Sequence, residues 1–478
     1  MHLVGRARLR LEAATDWLPR WLAVLFPFSI AGTLLGQGYL VPPSGFQGAP
    51  AVPQPGIPPW SATQQAGGPM NGQINSQANN GQETGAVNGQ STGQIEGQPG
   101  ATAGTPVGAP MESLMQWGAL HLRARANYQF LYATGVHSAP GESSDTYTHA
   151  LTPGLTIEIG PHVSLNYTPS FRFFSERNFH NTIDQAVSLS AGAAYGDWTF
   201  GVSQSYTRTD EPLVETSSQT ATENYQTGLS ASYQFNDKIT FSTSGSLGFS
   251  VIDNSSTNVF VGGNTNAPAI LSDSQNYSGS EWMDYQIDEK LNAGVGVTVG
   301  YSEQNGGFKS LDEQYQGRFT WHPGRKLSVF LSGGIEDRQF LDVNAPAIVT
   351  PIFSASIGYH LFEQTTLALT AARDVSASLF QSDVTESTSL GISLQQRLLG
   401  KLQLSLGFSY ATSDYKTTTA NLALARSDDT EVYTVGLSFP FLKRCSFSTF
   451  YDYSQNSSSD LGFGFSSSQA GAALSWAY

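Results

Sequence analysis

The feature that most constrains this chain is a strict alternation of apolar and polar residues, which recurs from about residue 114 to the carboxyl terminus. In the run 401–410, leucine, phenylalanine and tyrosine occupy the even positions, whereas lysine, glutamine, serine and glycine occupy the odd positions. A period of two residues places these two sets on opposite faces of a β-strand. The runs 239–247 and 291–302 repeat the pattern. Soluble β-sandwiches rarely sustain such long strands with one polar face, so the pattern favours a transmembrane β-barrel.

The connections between these runs alternate in length. Marking every run gives about 18 strands, an even number within the range that bacterial barrels use. Tight turns are predicted at glycine, asparagine and proline positions such as Gly160-Pro161 and Asn236-Asp237, and the longer polar connections are predicted over 133–145, 209–221, 253–275, 341–347, 374–384 and 411–428. Short turns on one side and long loops on the other predict an all-β, antiparallel, up-and-down transmembrane barrel with both termini in the periplasm.

The first 113 residues differ in composition from the rest. Four arginines precede the apolar stretch 21–36, which predicts an export signal over residues 1–38. Cleavage after Ala31 and cleavage after Gly38 both remain open, and a retained anchor helix is disfavoured because Pro27 and the glycine-rich exit make it short for a span. Residues 39–113 are rich in Gly, Gln, Asn and Pro and predict a disordered periplasmic tether. The barrel is assigned to residues 114–478.

Composition excludes several classes of protein. The chain has a single cysteine, Cys445, which excludes an intramolecular disulfide and a cysteine-based metal cluster. Its formal net charge is −15 with 23 Lys and Arg in all, which argues against nucleic acid as a partner. Beyond the N-terminal region no run of about 18 to 20 apolar residues occurs, so a helical membrane protein is excluded. A chain of this kind that crosses a membrane must do so as a closed barrel.

Tryptophan positions support the same architecture. Barrels carry aromatic girdles where the wall meets the lipid headgroups. Four tryptophans and the final tyrosine lie beside predicted periplasmic turns or termini, whereas Trp282 lies further along its strand and faces inward by parity. The predicted girdle is Trp117, Trp198, Trp321, Trp476 and Tyr478.

The last stretch, 461–478, carries a family resemblance. It reads LGFGFSSSQAGAALSWAY, with apolar residues at alternate positions back from an aromatic final residue. Together with the export signal and the hairpin rhythm, it resembles Gram-negative outer-membrane β-barrels of the putative β-barrel porin family. The resemblance implies an outer-membrane protein embedded in lipid and assembled by the barrel-assembly machinery through its C-terminal strand, and it leaves both a monomer and a homo-oligomer open. No residue motif is carried over, because such barrels are defined by alternation, and the solute stays open.

Catalytic and metal-binding patterns are weak. His137 and His149 near Asp145 are the candidates for a protease-like pair, and a loop histidine beside an acid is usually solvated. The acidic positions 428, 429 and 431 lack the spacing of a calcium loop and are interpreted as a solvated loop tip. We therefore predict no catalytic residue, no cofactor and no metal site, and the protein is not expected to be an enzyme.

Parity also predicts the residues that line the pore. If the apolar face of each predicted strand lies against lipid, the opposite face lines the water-filled lumen. Most residues on that opposite face are small or polar. The charged members singled out are Arg123, Arg125, Arg172, Asp184, Asp284, Arg318, Glu336, Arg338 and Arg397. Two hypotheses follow. The arginines either make one wall positive and favour anions or neutral solutes, or they brace the wall through ion pairs with Asp184 or Glu158.

The sequence thus favours a channel for passive diffusion of small hydrophilic solutes. The alternative is an export barrel, for example for polysaccharide, or an adhesion or scaffold barrel, and a barrel hydrolase is the third candidate. The longest connection, 253–275, carries several apolar residues, so part of it is expected to fold over or into the mouth. A flexible loop and a subunit contact are the other readings of that segment.

Overall fold

The computed structural model describes residues 115–139, 142–160, 162–213, 218–252, 271–380, 382–420, 423–460 and 462–478. The predicted export signal and the predicted tether lie outside the described residues. No helix in the described part of the chain is both long and apolar enough to cross a bilayer.

The described residues form 19 β-strands and one 3-10 turn, Thr418–Ala420. The strands are β1 Met115–Trp117, β2 Leu120–Ala139, β3 Glu142–Ile159, β4 Val163–Phe174, β5 Thr182–Tyr195, β6 Trp198–Leu213, β7 Ser218–Gln234, β8 Ile239–Ile252, β9 Ser274–Asp288, β10 Leu291–Gln304, β11 Lys309–Trp321, β12 Leu327–Phe340, β13 Ile348–Phe362, β14 Thr365–Ala377, β15 Asp383–Leu398, β16 Leu402–Thr417, β17 Ala423–Leu442, β18 Cys445–Ser458 and β19 Phe465–Ala477.

Strands β2 to β19 close into a ring. Each pairs antiparallel with its neighbours along the chain, and β19 pairs with β2 from Ser468↔Thr134 to Ala477↔Arg125. The short β1 pairs with the start of β2 and stands outside the ring. The result is a closed 18-stranded antiparallel barrel, which confirms the predicted fold. In line with the predicted orientation, we call the end that carries the start of β2 and the end of β19 the periplasmic end, and the opposite end the extracellular end.

The register keeps the apolar rows together on the outside of the wall. Leu406 pairs with Leu394 on one side and Val435 on the other, and these side chains face away from the lumen. Large apolar residues are accordingly exposed along the wall, as at Leu229 (56%) and Val295 (58%). Because contiguous exposed apolar surface on this scale is unfavourable in water, the outer face is the lipid-facing face.

The periplasmic turns are short, as the sequence predicts. Gly160 and Gly196 take positive φ values of 57° and 59° in two of them, a conformation that glycine adopts without steric cost. These turns connect β3 to β4 and β5 to β6.

The extracellular connections differ from the prediction. Of the stretches predicted as long loops, 133–145, 209–221, 374–384 and 411–428 are largely strand, because the hairpins continue beyond the lipid band. The β2–β3 ladder reaches Ala139↔Glu142, and the β6–β7 ladder reaches Leu213↔Ser218. In these extensions the inward residues are buried at the mouth but many are polar, such as Thr209, Glu211 and Asp428, so the apolar and polar alternation fades while the backbone ladder continues.

The two clusters of buried apolar residues lie at the extracellular mouth, whereas Phe450 and Ala473 are buried singly within the wall. One cluster comprises Leu213, Ile252, Leu271, Leu379, Phe380 and Phe463. A second comprises Phe308, Ile348, Val375, Ala377 and Val384. The clusters bring together strand ends and connections from many parts of the ring, so the mouth has its own packed core.

Candidate functional site

The inner face of the barrel is the candidate site, and its walls are hydrophilic. Serine, threonine, glycine, asparagine and glutamine fill most inward positions of β7 to β11. Hydroxyl pairs link neighbouring strands, as between Ser244 and Ser280 (2.7 Å) and between Ser246 and Ser278 (2.8 Å). Such a surface is wetted by water and offers hydrogen bonds to polar solutes.

Two arginines of β2 differ in their partners near the periplasmic end. The Arg123 Nη2 lies 3.0 Å from Glu158 Oε2 on β3. Arg125 instead reaches across Gly154, where a side chain would collide with the Arg125 stem, and donates to Asn166 (3.1 Å) and Thr168 (2.7 Å) on β4. The Arg125 guanidinium therefore donates hydrogen bonds to neutral acceptors, and among the described residues it has no acidic partner within salt-bridge distance.

Arg172 of β4 is held between two acids. Its Nε lies 2.9 Å from Asp184 on β5, and its Nη2 contacts Glu211 on β6. Glu211 is absent from the predicted pore-lining residues, because the sequence predicts a loop over 209–221. The strand parity of an extended β6 would have identified this residue as inward.

Arg318 of β11 forms a third cluster with β9. Its Nε donates to Asp284 Oδ1 at 2.8 Å, and its guanidinium carbon lies 4.2 Å from the centre of the Trp282 ring. Trp282 in turn covers Gly296 of β10, where any side chain would overlap the indole. The inward tryptophan therefore orients the arginine by a cation–π contact as well as by the ion pair.

Arg338 of β12 connects the wall to the mouth. Its Nε donates to Glu336 (2.8 Å), and its Nη2 lies 3.9 Å from Asp312 and donates to the Val375 carbonyl (2.9 Å). Glu336 also accepts a 2.9 Å hydrogen bond from Gln314. Buried charges of this kind are stable only with such complete pairing.

Val375 belongs to a hairpin that leaves the wall. The β13–β14 ladder ends at Phe353↔Arg373, whereas β14 and β15 stay paired up to Ala377↔Val384. We call residues 374–380 and 382–387 the mouth hairpin. It contacts inward residues of β12 and β13, so it lies on the lumen side of these strands.

The tip of the mouth hairpin extends over β10. Gln304 donates through Nε2 to the Ser378 carbonyl (2.6 Å) and accepts from the Ser382 amide (3.1 Å). The Ser272 amide donates to the Leu379 carbonyl at 2.9 Å, and Leu271 forms a β-bridge with Phe380. The hairpin is thus anchored by backbone as well as side-chain contacts and narrows the extracellular mouth.

Arg426 of β17 completes the mouth from the other side. Its guanidinium lies 4.0 Å from the Tyr415 ring, 4.0 Å from the Phe463 ring and 5.8 Å from the Phe380 ring. Its Nε is 3.2 Å from Asp428, and the two side chains are only 5% and 2% exposed. The sequence interpretation of Asp428 as a solvated loop tip is wrong, because the strand β17 extends to Ala423 and turns Asp428 inward.

Part of the barrel matches a known family. Residues 316–477 match the family described as "Putative beta-barrel porin 2". This segment runs from β11 to the closing strand β19 of the ring described above. Over this segment the barrel is porin-like.

Three solved structures are similar to this barrel at low sequence identity. Acinetobacter baumannii OccAB3 is 8% identical, with 75% of this chain and 99% of that chain covered and a TM-score of 0.42. Pseudomonas aeruginosa OccK2 (OpdF), solved in complex with glucuronate, is 10% identical with coverages of 74% and 98% and a TM-score of 0.41. P. aeruginosa OpdK, solved with vanillate, is 8% identical with coverages of 75% and 99% and a TM-score of 0.42. No curated protein matches the chain.

The porin-like barrel places the predicted pore-lining residues on inward positions of its strands. Eight of them form the clusters around Arg123, Arg125, Arg172, Arg318 and Arg338. The ninth, Arg397, lies at the periplasmic end of β15, and its side chain is exposed. Their role in solute passage stays a prediction.

The predicted girdle lies at the periplasmic end. Trp198 stacks on Phe200 with 5.8 Å between centroids, and Tyr478 lies beside Trp476 at 6.2 Å. Trp321 ends β11 on the outer face. Trp117 is 78% exposed on β1, outside the ring.

His149, one of the two histidines singled out for a protease-like pair, lies apart from the lumen. His149 faces outward and shares a 2.8 Å hydrogen bond with the Tyr128 hydroxyl. Within the described ranges, no three His, Cys, Asp or Glu side chains are grouped so as to hold a metal ion.

Proposed function

We propose that this protein is an outer-membrane channel of a Gram-negative bacterium that passes small hydrophilic solutes by passive diffusion. The observation that carries the proposal is a closed ring of 18 strands with a hydrophilic inner face and a mouth narrowed by its own hairpin. A ring of this size encloses a water-filled lumen unless something fills it.

The pattern of charges supports a channel without a strong ion filter. Four of the five clustered arginines pair with an acid, either on the same strand or one or two strands away: Arg123, Arg172, Arg318 and Arg338. This pairing favours the hypothesis that arginines brace the wall. Arg125 keeps neutral acceptors, so it is the residue that we expect to give a weak preference for anions.

Planar-bilayer recording tests the proposal. Purified protein should insert in discrete conductance steps, and the boiled protein, which has lost its barrel, should give none. A well-folded barrel that inserts but does not conduct would overturn the proposal and favour the scaffold alternative. A large solute such as a polysaccharide passing while small ions are blocked would favour export.

A further inference from the structure

A carboxylate occupies the middle of the lipid-facing side of β9. By parity, the outward row of this strand runs Tyr277, Gly279, Glu281, Met283 and Tyr285. Glu281 therefore lies midway between two outward tyrosines, and it lines a depression of about 640 Å³ with the outward side chains of Phe241, Met283, Val295, Val297, Tyr315 and Ile335. Ionisable side chains facing hydrocarbon are rare and costly, so this position requires a partner.

Other outward glutamates lie outside the tyrosine row and mark the headgroup level. Tyr301 donates to Glu303 (3.1 Å), Tyr315 to Glu313 (3.0 Å) and Tyr433 to Glu431 (3.1 Å). In each pair the acid is two residues nearer the extracellular end than the tyrosine. Glu281 differs because it lies on the periplasmic side of Tyr277, within the apolar band.

The neighbouring strands place more polar and small residues at the same depth. Thr243 of β8 donates to Glu281 Oε1 at 2.7 Å, and Thr227 of β7 donates to the Gln204 Oε1 of β6 at 2.6 Å. Gly245 and Gly279 are paired between β8 and β9. We call these six residues the polar sector: Gln204, Thr227, Thr243, Gly245, Gly279 and Glu281. The corresponding band of β10 holds Val295, Val297 and Val299.

We propose that the polar sector is the interface with a second copy of this chain, related by a two-fold axis along the membrane normal between β7 and β8. Such an axis sets β6 of one copy against β9 of the other. Gln204 then faces Glu281 of the second copy, and the same contact forms twice.

The chemistry of the two side chains suits this contact. The Gln204 amide accepts from Thr227, which leaves its Nε2 donors without a recorded partner among the described residues. Glu281 uses Oε1 for Thr243, which leaves Oε2 as an acceptor. Gln204 lies between Phe200 and Tyr206 on the outer face of β6, so both groups are bracketed by aromatic residues at similar depth.

Small residues at the centre permit close approach. Gly245 and Gly279 leave a shallow gap in the lipid-facing surface, and small residues are enriched where membrane segments pack closely. Leu229 pairs with Gly245 and is 56% exposed, so it lies next to the proposed axis.

Disulfide cross-linking in native outer membranes tests the interface. Cys445→Ser removes the only cysteine, and Leu229→Cys then places one thiol beside the axis. We expect an oxidant to produce a species of twice the protomer mass. Leu390→Cys on β15, also lipid-facing at 46% exposure, is the matched control and should stay monomeric. No dimer from Leu229→Cys, equal dimer from both variants, or an adduct with a different protein would overturn the proposal.

Mass photometry in nanodiscs tests the Gln204–Glu281 contact. We expect Glu281→Leu and Gln204→Leu each to raise the dimer dissociation constant by roughly 3- to 10-fold, while the heat-modifiable barrel stays folded. The double variant should have a dimer dissociation constant little higher than that of either single variant, because both substitutions remove the same contact. An unchanged dissociation constant for Glu281→Leu would overturn the assigned contact. So would a double variant in which the effects of the two single substitutions on dimer affinity add in full.

Discussion

Closure of the extracellular mouth should depend on Arg426. Its guanidinium is in contact with Tyr415 and Phe463, both at 4.0 Å, and is 5% exposed. A desolvated cation–π contact contributes about 2 kcal/mol, and Arg426 makes two at 4.0 Å, so replacing it with methionine should weaken closure by about 2–4 kcal/mol. This corresponds to a change of about 30- to 700-fold in the ratio of closed to open mouth.

The charge of Asp428 has to be removed in the same variant. Arg426→Met alone leaves a carboxylate of 2% exposure without its arginine, and an unpaired buried charge destabilises the surrounding structure on its own. The variant is therefore Arg426→Met with Asp428→Asn. Asparagine keeps the size of the side chain, so the packing around it is preserved.

Single-channel recording measures the effect directly. The wild-type channel should spend most of its time in a low-conductance level, and the variant should dwell in a higher level for much of the record. Arg318→Met with Asp284→Asn is the matched control, because it removes the Trp282 contact and an ion pair near the periplasmic end without touching the mouth. Equal dwell times in the wild type and the Arg426 variant would refute the reasoning, as would an equal change in the control.

Three further outcomes are expected. Arg125→Glu should shift the reversal potential in a salt gradient towards cations, because Arg125 has only neutral acceptors, whereas the same change at outward-facing Arg208 should leave it unaltered. Replacing Leu379 and Phe380 by serine should raise single-channel conductance, since it removes two members of the buried mouth cluster; an unchanged value would show that the pore is limiting elsewhere. Deleting residues 39–110 behind the intact export signal should leave a heat-modifiable barrel on gels, and loss of that behaviour would show that the segment packs against the barrel.

The wall could be predicted from the sequence because its signal is local. In a strand with one face in lipid, a single residue fixes the side of its neighbours, so Arg123, Asp284 and Arg338 could be assigned to the lumen without any contact information. The same rule identified Trp282 as inward. The ion-pair partner of each charged residue was harder to predict, because pairing depends on the register between strands.

The mouth could not be predicted because its contacts are non-local. Gln304 bonds to Ser378, and Arg426 lies between Tyr415 and Phe463, yet none of these positions has an unusual neighbourhood in the sequence. Glu211 was missed for a related reason. The inner face of the hairpin that carries it is buried but includes polar residues, such as Thr209 and Glu211 itself, so the alternation that distinguishes a strand from a loop is lost there.

The seam between β19 and β2 determines when the chain can complete its fold. Ser467 donates to the Thr134 carbonyl across 333 positions, and Ser475 donates to Asn127 across 348 positions. Until the last strand arrives, the partly formed sheet has two unpaired edges, which readily pair with other chains. Contacts of such long range form slowly because the intervening chain must be ordered first. Before the ring closes, the chain is therefore prone to aggregation through these two edges. Its correct folding depends on a factor that covers them until β19 pairs with β2.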